Sequence, residues 1–248
     1  MNHLLIIGAT STIAQEVARA ACDREGGVHL TLVARNASHL EQCAADLQTR
    51  GAKVTTHATD FAAADWAAIC ASPGSDAPRI DACLVAHGVL PDESSFPPDA
   101  EVVRRTIDSN LTTALEAINA VTAAFMRDGG GHLTVITSVA GDRGRQSNVL
   151  YGCTKGAKST YLEGLQHRLV VTNHTEVTVT DLKLGMVATR MTEHLPPSGL
   201  MADPAELAPK ILHTFDSRPP KKYLPWIWGP VMFGIRHLPR FLFEKTEL

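Results

Sequence analysis

Tyr151 and Lys155 stand four residues apart in Tyr151-Gly152-Cys153-Thr154-Lys155, a spacing that puts both side chains on one face of a helix. Such a pair can do proton chemistry. A free tyrosine titrates near ~10 and is a poor base at neutral pH. An ammonium fixed within a few ångströms stabilises the phenolate and lowers that value, and a helix N-terminus adds a further small benefit. Ser138 follows the apolar run Thr134-Val135-Ile136-Thr137; its hydroxyl would either hold a carbonyl or carbinol oxygen or close a turn. Asn110, in Asp108-Ser109-Asn110-Leu111, is a mediocre helix former, so it is read either as a polar functional group or as an exposed helix residue.

A second constellation suits phosphate. Gly8-Ala9-Thr10-Ser11-Thr12-Ile13-Ala14 is a turn of small residues opening a helix, whose free N–H groups and dipole favour an anion. Arg35 ends the second apolar run, where an acidic residue would accept from ribose hydroxyls. A guanidinium there suits a 2′-phosphate instead, or is a solvated surface arginine. Asp60 would accept from an adenine amino group, cap the helix before Phe61 and Ala62, or do both.

The elements that must position these groups alternate. Strands are expected at His3–Gly8, Val28–Ala34, Val54–Ala58, Ile80–Ala86, His132–Thr137 and Glu176–Leu184. Helices are expected from Ser11 or Thr12 onward, at Ala37–Arg50, Ala62–Ala71, Ala100–Arg127 and Leu150–Val171, with loops at Pro73–Asp76 and 91–99. Alternation with short apolar strands predicts a doubly wound parallel α/β sheet with helices on both faces, whose ligands lie beyond the carboxyl ends of the strands. At 248 residues, with 44% hydrophobic and 20% charged, the chain is long enough for one such domain and is not disordered. A net charge of −3 offers no general field for nucleic acid. Five cysteines without a C-x-x-C pair argue against a disulfide framework or a metal site and fit a reducing, cytoplasmic setting. No signal peptide is read before the first strand.

In order and spacing, these residues resemble the short-chain dehydrogenase/reductase family over about residues 3–190, including Gly185-Met186-Val187-Ala188-Thr189. The resemblance implies a Rossmann-type fold, NADP(H) as cofactor and carbonyl reduction or alcohol oxidation. It implies Tyr151 as proton donor or acceptor, and Lys155 as the ribose-binding group that supports it. Ser138 would orient the substrate, and Asn110 would hold a water in a proton relay. Gly8, Thr10, Ser11, Thr12, Ile13, Arg35, Asp60, Gly88, Val187 and Thr189 would line the cofactor site. It also implies a homo-oligomer, paired through the helices at 100–127 and 150–171. Two departures stand out. The family's three-glycine turn has Thr12 and Ala14 at its second and third positions, which puts the pyrophosphate geometry in question. Its Asn-Asn-Ala-Gly reads Val85-Ala86-His87-Gly88, making His87 a structural histidine or, less simply, a second titrating group.

The chain is divided at 217/218 into a catalytic domain and an aromatic, basic C-terminal extension. Six of its 13 aromatic residues fall after residue 222. From 218 on there are six basic residues against two acidic, a net +4, which leaves −7 for the remainder. Pro225, Pro230 and Pro239 interrupt the stretch after residue 222, so a short pair of helices on an anionic membrane surface is expected, or else a cover over the substrate or a subunit interface. The turn and tail look similar to reductases of polyprenyl-phosphoryl keto-sugars, implying a lipid-linked or hydrophobic keto substrate. A small soluble ketone or sugar and a catalytically silent NADP-sensing protein are the alternatives. A sugar-nucleotide epimerase would need more chain after Thr189.

Overall fold

Successive residues of a strand point to opposite faces of its sheet, so a strand apolar at every position must be covered on both. The first strand, β1 (His3–Ile7), is such a strand: Leu4 and Ile6 pack into one core and Leu5 and Ile7 into the other, all four fully buried. In this computed structural model, which describes residues 1–25, 27–71, 78–93, 95–193 and 199–246, β1 is one of seven parallel strands. They are β1, β2 (His29–Ala34), β3 (Lys53–Ala58), β4 (Ala82–Val85), β5 (Gly131–Ser138), β6 (Val177–Leu184) and β7 (Lys221–Leu224), in the spatial order 3-2-1-4-5-6-7. The expected doubly wound sheet is therefore present. One face carries α1 (Thr12–Glu25), α2 (Ala37–Thr49) and α7 (Pro204–Ser217). The other carries α3 (Trp66–Ile69), α5 (Thr113–Arg127) and α6 (Val149–Val171).

Several elements differ from the sequence expectation. The helix expected at 62–71 splits into a 3-10 turn, Phe61–Ala63, and the four-residue α3. Asp60 caps the turn and Asp65 then caps α3 by accepting from the Ala68 N–H at 3.0 Å, so the chain restarts its helix rather than continuing it. The helix expected over 100–127 is α4 (Ala100–Ile107), a π-helical turn (Asp108–Thr112) and α5. The helix α7 was not anticipated, although Asp203 capping and Pro204 in its first turn are ordinary start signals. The expected loop at Pro73–Asp76 lies outside the described residues.

The largest difference concerns the boundary at 217/218. Strand β7 comes from beyond it and pairs in parallel with Asp181–Leu184 of β6, so the C-terminal segment completes the sheet instead of hanging from it. Four residues, two of them exposed lysines, show no useful alternation, and charge on a short edge strand is what discourages pairing with other chains. Beyond β7 come α8 (Trp228–His237) and α9 (Arg240–Phe243), the short helix pair read from sequence.

A polar layer lies between α6 and β6. Lys183 donates to Asp142 Oδ1 at 2.6 Å and to Ser159 at 2.9 Å, and lies 3.4 Å from Asp181. Tyr223 of β7 donates to the other Asp142 oxygen at 2.8 Å, and burial together with that carboxylate pushes its phenol upward. Three residues beyond Lys155, Lys158 is fully buried and its Nζ has no hydrogen-bond partner among the described residues. Burial, and then the Lys155 ammonium, push its amine well below the usual lysine range, against the pull of Asp181.

Two stability measurements follow from this layer. Because the folded amine is held well below the range of the unfolded one, between those two ranges the unfolded state binds the extra proton, and stability rises with pH up to about 10.4. Lys158→Met is expected to flatten that rise and to stabilise the fold at pH 7 by about 1–3 kcal/mol, the desolvation cost of an unpaired polar group. Denaturant titrations at pH 7 and 10 read both effects, and an unchanged slope would place the pH dependence elsewhere. Lys183→Met, which strands two carboxylates, is expected to cost about 3–5 kcal/mol. Asp142→Asn should cost less, because Asp181 still faces the ammonium; equal costs in thermal melts would contradict this.

Candidate active site

Strand order reverses between β1 and β4, and there the carboxyl edge of a doubly wound sheet opens a crevice. Gly8 sits at its base with φ +89°, and a Cβ on it would lie 2.6 Å from the His87 backbone nitrogen. Only glycine fits both the left-handed backbone and this close approach. The turn that follows leads into α1. Ala14 is fully buried where the family has its third glycine, and Thr12, at the second, begins the helix and faces the crevice. Gly8, Thr10, Ser11, Thr12, Ile13, Arg35, Gly88, Ser138, Tyr151, Lys155, Val187 and Thr189 line one continuous cleft of about 340 Å³.

The two ends of that cleft differ in chemistry. At the far end from Tyr151, the exposed Arg35 guanidinium lies 6.0 Å from the Phe61 ring centroid. Asp60 does not line the cleft and uses its carboxylate to cap, accepting from the Ala62 N–H at 3.1 Å; the wall here is Phe61. His87 is buried, its Nε2 3.3 Å from Thr113 Oγ1 and its ring 4.5 Å from that of Phe61. Burial, then the nearby Lys158, Lys155 and Arg35 charges, hold its imidazole well below the usual histidine range.

At the near end, α6 presses against the corner after β5. A Cβ on Gly141 would meet the Gly156 nitrogen at 2.6 Å, and one on Gly152 would meet the Ala140 carbonyl oxygen at 2.8 Å. This backbone contact brings Tyr151 and Lys155 to the end of β5. Ser138 there accepts from the Ala140 N–H at 3.1 Å and donates to the Leu184 carbonyl at 3.3 Å. Lys155 is 4% exposed, its Nζ 5.4 Å from the Tyr151 ring centroid and 3.5 Å from the Ile136 carbonyl.

Asn110 is fully buried rather than exposed. Its amide accepts from the Val89 N–H at 2.7 Å and donates to the Val89 carbonyl at 2.8 Å. Those two bonds coincide with the π turn, a common way to re-aim one side chain of a helix. Gly88 leaves room for it: a Cβ there would lie 3.1 Å from the Asn110 oxygen and 3.6 Å from Lys155 Nζ. The structure thus brings Asn110 and Lys155 together against the open side of one glycine.

Some contributors had no local signal. Glu93 accepts from the Leu150 N–H at 2.9 Å and the Tyr151 N–H at 3.1 Å, capping α6 from 57 and 58 residues away. A second cavity of about 1360 Å³ opens on the far side of Ser138 and Tyr151, walled by Val89, Leu90, Val139, Met186, Leu200 and Trp228, with Glu93 and Arg145 among its polar groups. Trp228 lies so close over Gly185 that a Cβ there would overlap its indole nitrogen at 1.9 Å. The two spaces meet at Ser138, Tyr151 and Gly185, so a group bound in one reaches a group bound in the other beside the hydroxyls.

Comparison with known proteins agrees with this geometry. The profile of the short chain dehydrogenase family matches residues 2–198. An uncharacterized oxidoreductase of Mycobacterium tuberculosis is 30% identical over 245 residues, covering 98% of this chain and 96% of its own. One from Streptomyces coelicolor is 31% identical over 250 residues, covering 98% and 95%. Among solved structures, a short-chain dehydrogenase from Sphingobium yanoikuyae in complex with NADPH superposes with a TM-score of 0.78 at 24% identity, over 97% of both chains. A 3-oxoacyl-[acyl-carrier protein] reductase from Brucella melitensis with bound NAD gives 0.74 at 21%, over 90% and 89%. At these identities the two structures speak for the fold. With the family profile and the near full-length relatives, this chain is a member of the short-chain dehydrogenase/reductase family of NAD(P)-dependent oxidoreductases.

Proposed function

We propose that the protein is an NADPH-dependent carbonyl reductase acting on a hydrophobic keto substrate. The observation that carries this reading is the seam where Ser138 and Tyr151 face both cavities, with the Lys155 ammonium buried behind them. The Gly8–Ile13 turn and the α1 N-terminus would hold the pyrophosphate. Arg35, exposed beside Phe61, would grip a 2′-phosphate. Asp60 would reach the adenine from its capping position, and Val187 and Thr189 would face the carboxamide. The nicotinamide, when bound, supplies the hydride.

The chain's own groups handle the proton. Ser138 Oγ donates to the carbonyl oxygen and holds it against Tyr151. The Tyr151 hydroxyl gives that oxygen its proton as the carbon is reduced. The buried Lys155 ammonium stabilises the phenolate left behind, and the Asn110 amide would hold the water that returns a proton to it. The apolar walls of the larger cavity, Val89, Leu90, Val139, Met186 and Trp228, favour a substrate with a substantial apolar portion, including a lipid-linked one. A cytoplasmic enzyme of this kind would self-associate through α5 and α6, where Met126, Val170 and Val171 are exposed.

Two substitutions test the reading. Tyr151→Phe is expected to lower kcat by about two orders of magnitude or more, while cofactor binding, followed by nucleotide fluorescence, stays intact. Retained turnover would remove the tyrosine from the mechanism. Arg35→Ala is expected to weaken NADPH binding by about tenfold or more and to leave NADH nearly unchanged. Equal losses would remove the preference for the 2′-phosphate.

A further inference from the structure

Helix α8 is attached along one narrow stripe. Trp228, Met232 and Ile235 pack with Val139 and Tyr223 in a small core of their own, with Met232 fully buried. Arg143 clamps the next turn from beneath, donating to the Ile235 carbonyl and, at 2.7 Å, to the Leu238 carbonyl, with its guanidinium 3.8 Å from the Phe243 ring centroid. The helix pair is thus held in one orientation, and what it presents outward is apolar. Trp226 is 75% exposed, Phe233 68% and Phe241 65%, and Ile227, Val231 and Leu242 are each about 40% exposed. Six of the thirteen large apolar residues exposed among the described residues lie in this short segment, too tight a grouping for scattered surface apolars.

The charges around it are mainly positive. Lys221 and Lys222 on β7, Arg236 on α8, Arg240 on α9 and Lys245 just after it are exposed, with the exposed Glu244 paired to Arg240 at 2.5 Å, and the segment from 218 on carries +4 against −7 for the remainder. We propose that this face docks on the surface of an anionic phospholipid bilayer. Aromatic and aliphatic side chains would enter the headgroup region while the cations meet lipid phosphates. Pairing of two copies across a two-fold axis would set +4 against +4. Among the described residues no helix is long and apolar enough to cross a membrane, so the contact is interfacial.

Trp228 connects this surface to the site. Its ring lies on Gly185 and walls the larger cavity, while its neighbours Trp226 and Ile227 are exposed. Docking would therefore set that cavity wall beside the bilayer. Resting on the reductase reading, the substrate class becomes an amphipathic ketone that stays in the membrane while its carbonyl reaches Ser138 and Tyr151.

Co-sedimentation of the intact chain with phosphatidylcholine vesicles, with and without phosphatidylglycerol, tests the docking. Binding is expected on the anionic vesicles only, and is expected to weaken as salt rises. Trp226→Ser combined with Phe233→Ser should weaken it at least about tenfold, and Lys222→Ser with Arg236→Ser roughly 30-fold, at the contribution typical of a basic residue near an anionic surface. Because these side chains are exposed, melting temperature and cofactor binding should not change. No binding by the intact chain, or equal binding to neutral vesicles, overturns the proposal. So does an oligomer that the Trp226 and Phe233 substitutions dissociate without any vesicle binding, which would make this face a subunit contact. Vesicle binding by a chain that reduces no ketone would leave the docking standing and remove the reductase reading instead.

Discussion

The contact on which the site depends has almost no side chains in it. Gly152 and Gly156 of α6 lie against Ala140 and Gly141 at the corner after β5, backbone on backbone. That separation fixes how far Tyr151 stands from Ser138, since each is adjacent to the contact on its own element. It also carries Lys155 under the sheet edge, where it is nearly removed from water and its charge acts through a poorly screening medium. A methyl group at Gly141 or Gly152 would move a 23-residue helix, and with it both members of the pair, because neighbours made of backbone have no rotamer to yield. The glycines beside Tyr151 and Lys155 therefore matter to this geometry as much as the side chains proposed to act there.

Much of this was legible in the sequence because it depends on neighbours in the chain. Continuous apolar strands alternating with amphipathic helices gave a parallel sheet, and the four-residue spacing of Tyr151 and Lys155 placed them on one helix face. The parts that were not legible depend on distant partners. The π turn at Asn110 follows from bonds to Val89, and the α6 cap is Glu93, on a different loop. Strand β7 is too short and too charged to show a period and owes its place to pairing with β6. Lys158 occupies the stripe of α6 that already carries Tyr151 and Lys155. From spacing alone it reads as one more lysine, and only full burial without a partner sets it apart.

The polar layer under α6 and the aromatic end of the chain are one assembly. Asp142, at the corner beside the site, holds Lys183 of β6 and Tyr223 of β7 together. One residue further, Arg143 holds the turn after α8. The same corner that seats α6 thus seats the tail, so the cavity wall formed by Trp228 is referenced to the same backbone as Ser138 and Tyr151. This arrangement gives the surface segment from Tyr223 to Phe243 the positional precision of a core element.

The order of synthesis gives this placement a further meaning. Ser138, Tyr151 and Lys155 leave the ribosome well before Tyr223 and Trp228 do. Until those last residues arrive, Asp142 lacks its tyrosine partner, Gly185 is uncovered and the edge of β6 is open. A nascent chain that already holds Ser138, Tyr151 and Lys155 still lacks one wall of the larger cavity. The larger cavity thus closes only once synthesis has passed Trp228.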